Sequence, residues 1–96
     1  MISPQAVPVP EWEYYYQGRS GADRPNGLRF IVGARSFWFS YQTLVAFYSP
    51  KTGRVVHENV WSRTTGKHLN AIDHGDKASR VDAALFAAKL AEALTD

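Results

Sequence analysis

Residues 36–48 (SFWFSYQTLVAFY) put Phe37, Phe39, Tyr41, Thr43, Val45 and Phe47 on one parity, and Ser36, Trp38, Ser40, Gln42, Leu44, Ala46 and Tyr48 on the other. A period of two with one nearly apolar face suits a strand in a sheet covered on one side. The run is long for one strand, so a bend or bulge is expected near Ser40 to Gln42. Three shorter runs read the same way. WEYYYQ (12–17) alternates, LRFIVG (28–33) is apolar, and RVVHENVWS (54–62) reads as a return strand. Gly33-Ala34 suits a type II′ hairpin turn, and Ser49-Pro50-Lys51-Thr52-Gly53 suits a hairpin corner. Between the first two strands, GRSGADRPNG reads as a loop.

The period changes after Ser62. SRTTGKHLNAIDHGDKAS is polar, with a short helix expected around Lys67–Ile72, capped by Ser62, Thr64 or Thr65 and ended by Gly75. Val81–Leu94 repeats every 3.6 residues, with Ser79 or Asp82 as cap. Ala83, Phe86, Ala87, Leu90, Ala93 and Leu94 share its apolar face, so the Phe86/Leu90/Leu94 stripe is expected to pack on the sheet. The fold class is therefore α+β. An antiparallel meander of about four strands packs against a C-terminal amphipathic helix, with a short helix in the polar connection. Residues 1–11, with Pro4, Pro8 and Pro10, form an extended Pro-rich N-terminal segment, and residues 12–96 a single domain.

Composition narrows the classes. The chain has 96 residues and no Cys, which excludes disulfides and thiolate zinc sites. No apolar run reaches the roughly 18–20 residues of a membrane span. No basic stretch followed by an apolar one opens the chain, so a cytoplasmic location with no membrane partner is expected.

The formal charge of +2 hides a pattern. Residues 14–72 carry eight bases against Asp23 and Glu58, while both ends are acidic. Eleven of the thirteen aromatics, all but Trp61 and Phe86, fall in residues 12–48, within the basic part. Arg with aromatics serves single-stranded nucleic-acid binding and also protein-interface hot spots. The same residues equally fill the core of a small domain. Tyr15 and Trp38 sit on the less apolar faces of their strands, so exposure is expected there and both are candidate protein-interface residues.

The densest candidate chemistry is Trp61-Ser62-Arg63-Thr64-Thr65-Gly66-Lys67-His68-Leu69-Asn70. Free backbone N–H groups, hydroxyls and bases converging at a helix start make an anion site. Arg63, Thr64, Thr65, Lys67, His68 and Asn70 are its candidate residues, with Arg35, Lys51 and Arg54 as auxiliaries. The plain alternative is that the hydroxyls cap a helix and Trp61 plugs the core. The P-loop spacing is missing. His57, His68 and His74 lack the i, i+4 spacing of a helical zinc pair, and no nucleophile elbow or second carboxylate partners Ser40 or Glu58. No catalytic residue, metal or cofactor is expected. Glu58 reads as an exposed position or a cross-strand partner of Lys51 or Arg54.

The stretches Ser40–Phe47 and Glu58–Asn70 resemble a group of small uncharacterised phage and prophage proteins with the pattern SY-x-T-x-VAF…EN-x-WS-x-TTGKHLN-x-ID, over about residues 40–73. The resemblance implies a mobile-element protein in a bacterial host cytoplasm. The expected function is non-enzymatic binding of an anionic partner, either nucleic acid or an acidic or nucleic-acid-binding surface of a host protein. The alternatives are inhibition of a host defence complex through exposed aromatics, and a structural role with homo-oligomerisation through an edge strand.

Overall fold

The computed structural model describes residues 11–16 and 27–95. The Pro-rich segment up to Pro10, and the GRSGADRPNG loop apart from its final Gly27, lie outside the described residues. Five strands follow one another in an antiparallel meander: β1 (Glu11–Tyr16), β2 (Gly27–Val32), β3 (Arg35–Ser40), β4 (Thr43–Ser49) and β5 (Gly53–Val56). Helix α1 (Arg63–Asp73) comes next, then a short 3-10 turn (Lys77–Ser79) and helix α2 (Ala83–Ala93).

The expected count of about four strands is corrected to five. The 36–48 run is two strands joined by a tight turn at Tyr41-Gln42, with Ser40 paired to Thr43. Tyr41 takes a left-handed φ of 56°, which a bulky residue rarely adopts, so the turn has no Gly, Asn or Asp to announce it. What holds it is tertiary, since the Tyr41 ring lies 5.7 Å from the ring of His68 on α1. Gly33 and Gly53 take the positive φ their turns require, 60° and 70°.

Two bulges aim side chains. The β1–β2 register slips between Tyr14 and Tyr16. Tyr15 thereby packs on the core cluster that includes α1, and Tyr16 meets the His68 ring at 4.6 Å. On β4, Val45 is skipped in the register with β3, and both Val45 and Ala46 join Val56, Leu69 and Ile72 in one apolar cluster. On the other face, Phe47 and Val55 pack against Phe86 and Ala93 of α2.

The sheet is thus covered on both faces rather than one: the short helix expected around Lys67–Ile72 is α1, longer than expected at its N-terminal end and packed on the second face. In the expected α2 stripe, Phe86 is buried and Leu90 partly so, but Leu94 is exposed and Ala93 takes the inward place. Asp82 caps α2, its side chain accepting from Leu85 N–H.

The return strand stops at Val56 rather than Ser62. His57 forms a parallel bridge with Val81; Glu58 N–H donates to Val81 C=O, and Val81 N–H to Val56 C=O. That strap seals the β5 edge. Among the described residues, nothing pairs with the outer edge of β1. No described helix is long and apolar enough to cross a membrane.

Candidate anion-binding cleft

The five residues between the Val81 strap and α1 fold into a small hydrogen-bonded turn. Asn59 Oδ1 accepts from Trp61 N–H at 3.0 Å and Asn59 Nδ2 donates to Ser62 C=O at 2.9 Å. Ser62 is the cap of α1, its Oγ accepting from Thr65 N–H. Gly66 lets Asn59 lean on the helix, because a Cβ there would lie 3.0 Å from Asn59 Nδ2.

From this start the helical repeat sorts α1 into two faces. Thr65, His68, Leu69 and Ile72 point inward and are buried. Arg63, Gly66, Lys67 and Asn70 follow at i, i+3, i+4 and i+7 and line a cleft of about 480 Å³. Its other walls are Glu58 and Asn59 on one side and Lys77 and Arg80 on the other.

Four bases therefore face the cleft with one acid, Glu58. Arg80 is already committed. Its Nε donates to Asp73 Oδ2 at 2.7 Å, and one terminal nitrogen donates to Asp73 Oδ1 and Asn70 Oδ1. Both charged side chains are 4% exposed, so this is a buried bidentate pair. Burial alone would raise the Asp73 carboxyl. Hydrogen bonding and charge from Arg80, helped by Gly75 N–H and Arg54, outweigh that and hold it below the usual carboxylate value. The side chains of Arg63, Lys67 and Lys77 make no hydrogen bond or ion pair among the described residues, so three cationic heads stand open to a ligand.

The sequence-derived residues divide sharply. Arg63, Lys67 and Asn70 come together in the cleft, while Thr64 is exposed and does not line it. Thr65 and His68 face the core. Ser40 Oγ lies 3.0 Å from Thr65 Oγ1 and 2.6 Å from His68 Nδ1. His68 is fully buried among the rings of Tyr15, Tyr16 and Tyr41, and burial lowers its pKa. Its Nε2 has no hydrogen-bond partner. The Ser40–His68 pair is shut off from solvent and works as a latch between α1 and the sheet.

The three auxiliary bases lie elsewhere and bind backbone. Arg54 donates to Ile72 C=O near the end of α1, while Arg35 donates to Ala93 C=O and Lys51 to Thr95 C=O at the end of α2. Bases there complement the negative ends of both helices.

Tyr15 and Trp38 are not exposed as expected. Tyr15 donates its hydroxyl to Phe39 C=O, burial raises its pKa, and Trp38 packs on the α1 cluster beneath the Arg29 guanidinium. The exposed aromatics include Trp12 at 59%, Tyr14 at 44% and Trp61 at 42%. Trp61 does not plug the core. Glu58 is exposed, one of its two expected roles, and forms no cross-strand pair with Lys51 or Arg54, which bind the carbonyls of Thr95 and Ile72.

Sequence reading missed Asn59, Lys77 and Arg80. An Asn ahead of a Ser cap is a readable turn signal, whereas Lys77 and Arg80 reach the cleft only because His74 (φ 57°) and Gly75 (φ 82°) reverse the chain after α1.

No curated protein and no solved structure matches the chain. A sequence profile for a family of unknown function (DUF8033) matches residues 13–88, a span holding every cleft residue, and the chain belongs to that family.

Proposed function

We propose that this chain is a small non-enzymatic binding protein that grips a nucleic-acid backbone in the cleft between α1 and the Lys77–Arg80 segment. The observation that carries the reading is the convergence of Arg63, Lys67 and Lys77, without partners among the described residues, beside Arg80 and opposite one carboxylate. Charge-assisted hydrogen bonds from Lys and Arg to phosphate are the strong, sequence-independent part of such binding. The resemblance over residues 40–73 supports a phage or prophage setting in a bacterial cytoplasm.

Three open cations predict a salt slope near −2 for a single strand, at about −0.7 per phosphate contacted. Affinity for a short labelled oligonucleotide, followed by anisotropy, should fall by roughly 10- to 20-fold between 50 and 200 mM salt. The Arg63→Ala, Lys67→Ala double variant should bind weakly at either salt with a slope of about −0.7. Undiminished binding by that variant would remove the cleft from consideration.

A second reading rests on a separate observation. Trp12 and Tyr14 form an edge-to-face pair, ring centroids 5.5 Å apart, exposed on the edge strand β1. That patch suits a protein contact, as in an inhibitor of a host defence complex or a homo-oligomer through β1. Such binding would resist salt and respond to Trp12→Lys instead.

A further inference from the structure

Trp61 is the residue next to the cleft that the anion reading leaves unused. It lies between Asn59 and Arg63, both of which line the cleft. Its Cα is at most about 7 Å from that of Arg63, since two residues span no more. Its backbone is fixed by the hydrogen bond from Trp61 N–H to Asn59 Oδ1. Its ring is braced from one side by His57, centroids 4.8 Å apart, and His57 rests in turn on Phe86 at 4.9 Å. His57 is itself locked, donating Nδ1–H to Glu58 C=O at 2.6 Å. Val60, its neighbour in sequence, is also exposed. The result is a held aromatic plate, partly open to solvent, two residues along the chain from each of the cleft residues Asn59 and Arg63.

Resting on the anion reading, we infer that the cleft takes a single-stranded nucleic acid, with phosphate against Arg63, Lys67 and Lys77 and an unpaired base stacked on Trp61. Stacked bases repeat about every 3.4 Å along a strand, so the upper bound of about 7 Å between the Trp61 and Arg63 Cα atoms keeps both residues within reach of one or two adjacent nucleotides. A duplex keeps its bases stacked on one another and offers the indole nothing but backbone. An acidic peptide would meet the cations but has no flat π surface to lay on the ring. Base–aromatic stacking is worth a factor of at least about five per base and is indifferent to sequence.

The test uses the full chain at 50 mM salt with four probes: an eight-residue oligothymidylate, the same oligomer with abasic central sugars, a duplex of equal length, and oligoglutamate. The thymidylate should bind at least about fivefold tighter than the abasic strand, which keeps every phosphate. Trp61→Ala should erase that difference, and Trp61→Phe, which keeps a ring against His57, should restore part of it. Arg63→Ala with Lys67→Ala should weaken both strands alike. Equal binding of the two strands, or a preference unmoved in Trp61→Ala and Trp61→Phe, overturns the stacking while leaving the cleft reading intact. Duplex or oligoglutamate binding as tight as the thymidylate also overturns it. Failure of every oligonucleotide to bind defeats the cleft reading itself.

Discussion

Gly27 is buried where β1 passes over the start of β2, and a Cβ there would lie 2.8 Å from Tyr16 Cβ and 2.9 Å from the Tyr15 ring. Tyr16 Cβ moves only with its backbone, so the overlap has no cheap escape. Gly27→Ala should therefore destabilise the fold by about 1–3 kcal/mol, the usual effect of overpacking. It should show as a lower urea midpoint at unchanged m-value. An unchanged midpoint would mean that β1 is not held against β2 by the bulge. The same neighbourhood explains why the break expected near Ser40 to Gln42 reads in sequence as a bend or bulge rather than as a full turn between two strands. Turn chemistry is legible where Gly or Pro imposes it, as at Gly33 and Gly53. At Tyr41 the unfavourable φ is maintained by His68, a residue twenty-seven positions away; the length of the run announces a break, but no local residue announces a turn.

At the scale of elements, what was legible followed periodicity. The strands read in 12–17, 28–33 and 36–48 and the 3.6-residue repeat of α2 are present in the structure, although bulges at Tyr15 and Val45 break the two-residue period, and Ser62 and Asp82 cap as their chemistry allows. Helix α1 was under-read because its apolar content is thin: Leu69 and Ile72 carry its packing, and its other inward positions are Thr65 and His68. Polar residues that find partners in a core look, in sequence, like a loop. The cleft was half legible for a related reason. Spacing along α1 puts Arg63, Lys67 and Asn70 on one face, but charge alone does not distinguish a base aimed at a ligand from one bonded to a carbonyl. Arg35, Lys51 and Arg54 prove to be of the second kind.

The Val81 strap is an element that no pattern announced. Arg80 already has an extended backbone, φ −75° and ψ 146°, compatible with a following proline. Val81→Pro should remove one donor and leave Val56 C=O unsatisfied, for a loss of about 1–3 kcal/mol. Hydrogen exchange should then quicken at Glu58, whose amide bonds to Val81 C=O, more than in β2. Equal acceleration everywhere would mean that the strap has no local effect on the β5 edge.

For the whole molecule, the fixing of α1 to the rest of the fold is the step acid should attack, and it should do so in two windows. His68 is held neutral in the fold by burial, so the unfolded chain takes up a proton more readily. Stability is then full above the ordinary histidine value of about 6.5 and is lost progressively as pH falls below it. Around the ring stand Ser40, Thr65 and the tyrosines of β1 and the β3–β4 turn, and no carboxylate contacts the ring among the described residues to compensate an imidazolium. Asp73 acts in the same direction lower on the scale. Its folded pKa lies below the usual value of about 4, so its contribution is present above that value and is lost as pH falls through the depressed one. Thermal midpoints measured from pH 8 to pH 2.5 should therefore fall first below about 6.5 and again below about 4. His68→Asn, whose amide can still meet Ser40, should flatten the first descent and spare the second. Asp73→Asn should flatten the second, from a starting stability lowered by about 3–5 kcal/mol because Arg80 is left buried without its partner. The cleft supplies an internal check, since Arg80 and Asn70 form part of its wall through Asp73. Oligonucleotide affinity should fall in Asp73→Asn even where the fold persists, and stay level in His68→Asn. A His68→Asn protein that still loses stability between pH 6.5 and 5 would shift the first window to another group and strip the buried latch of its role.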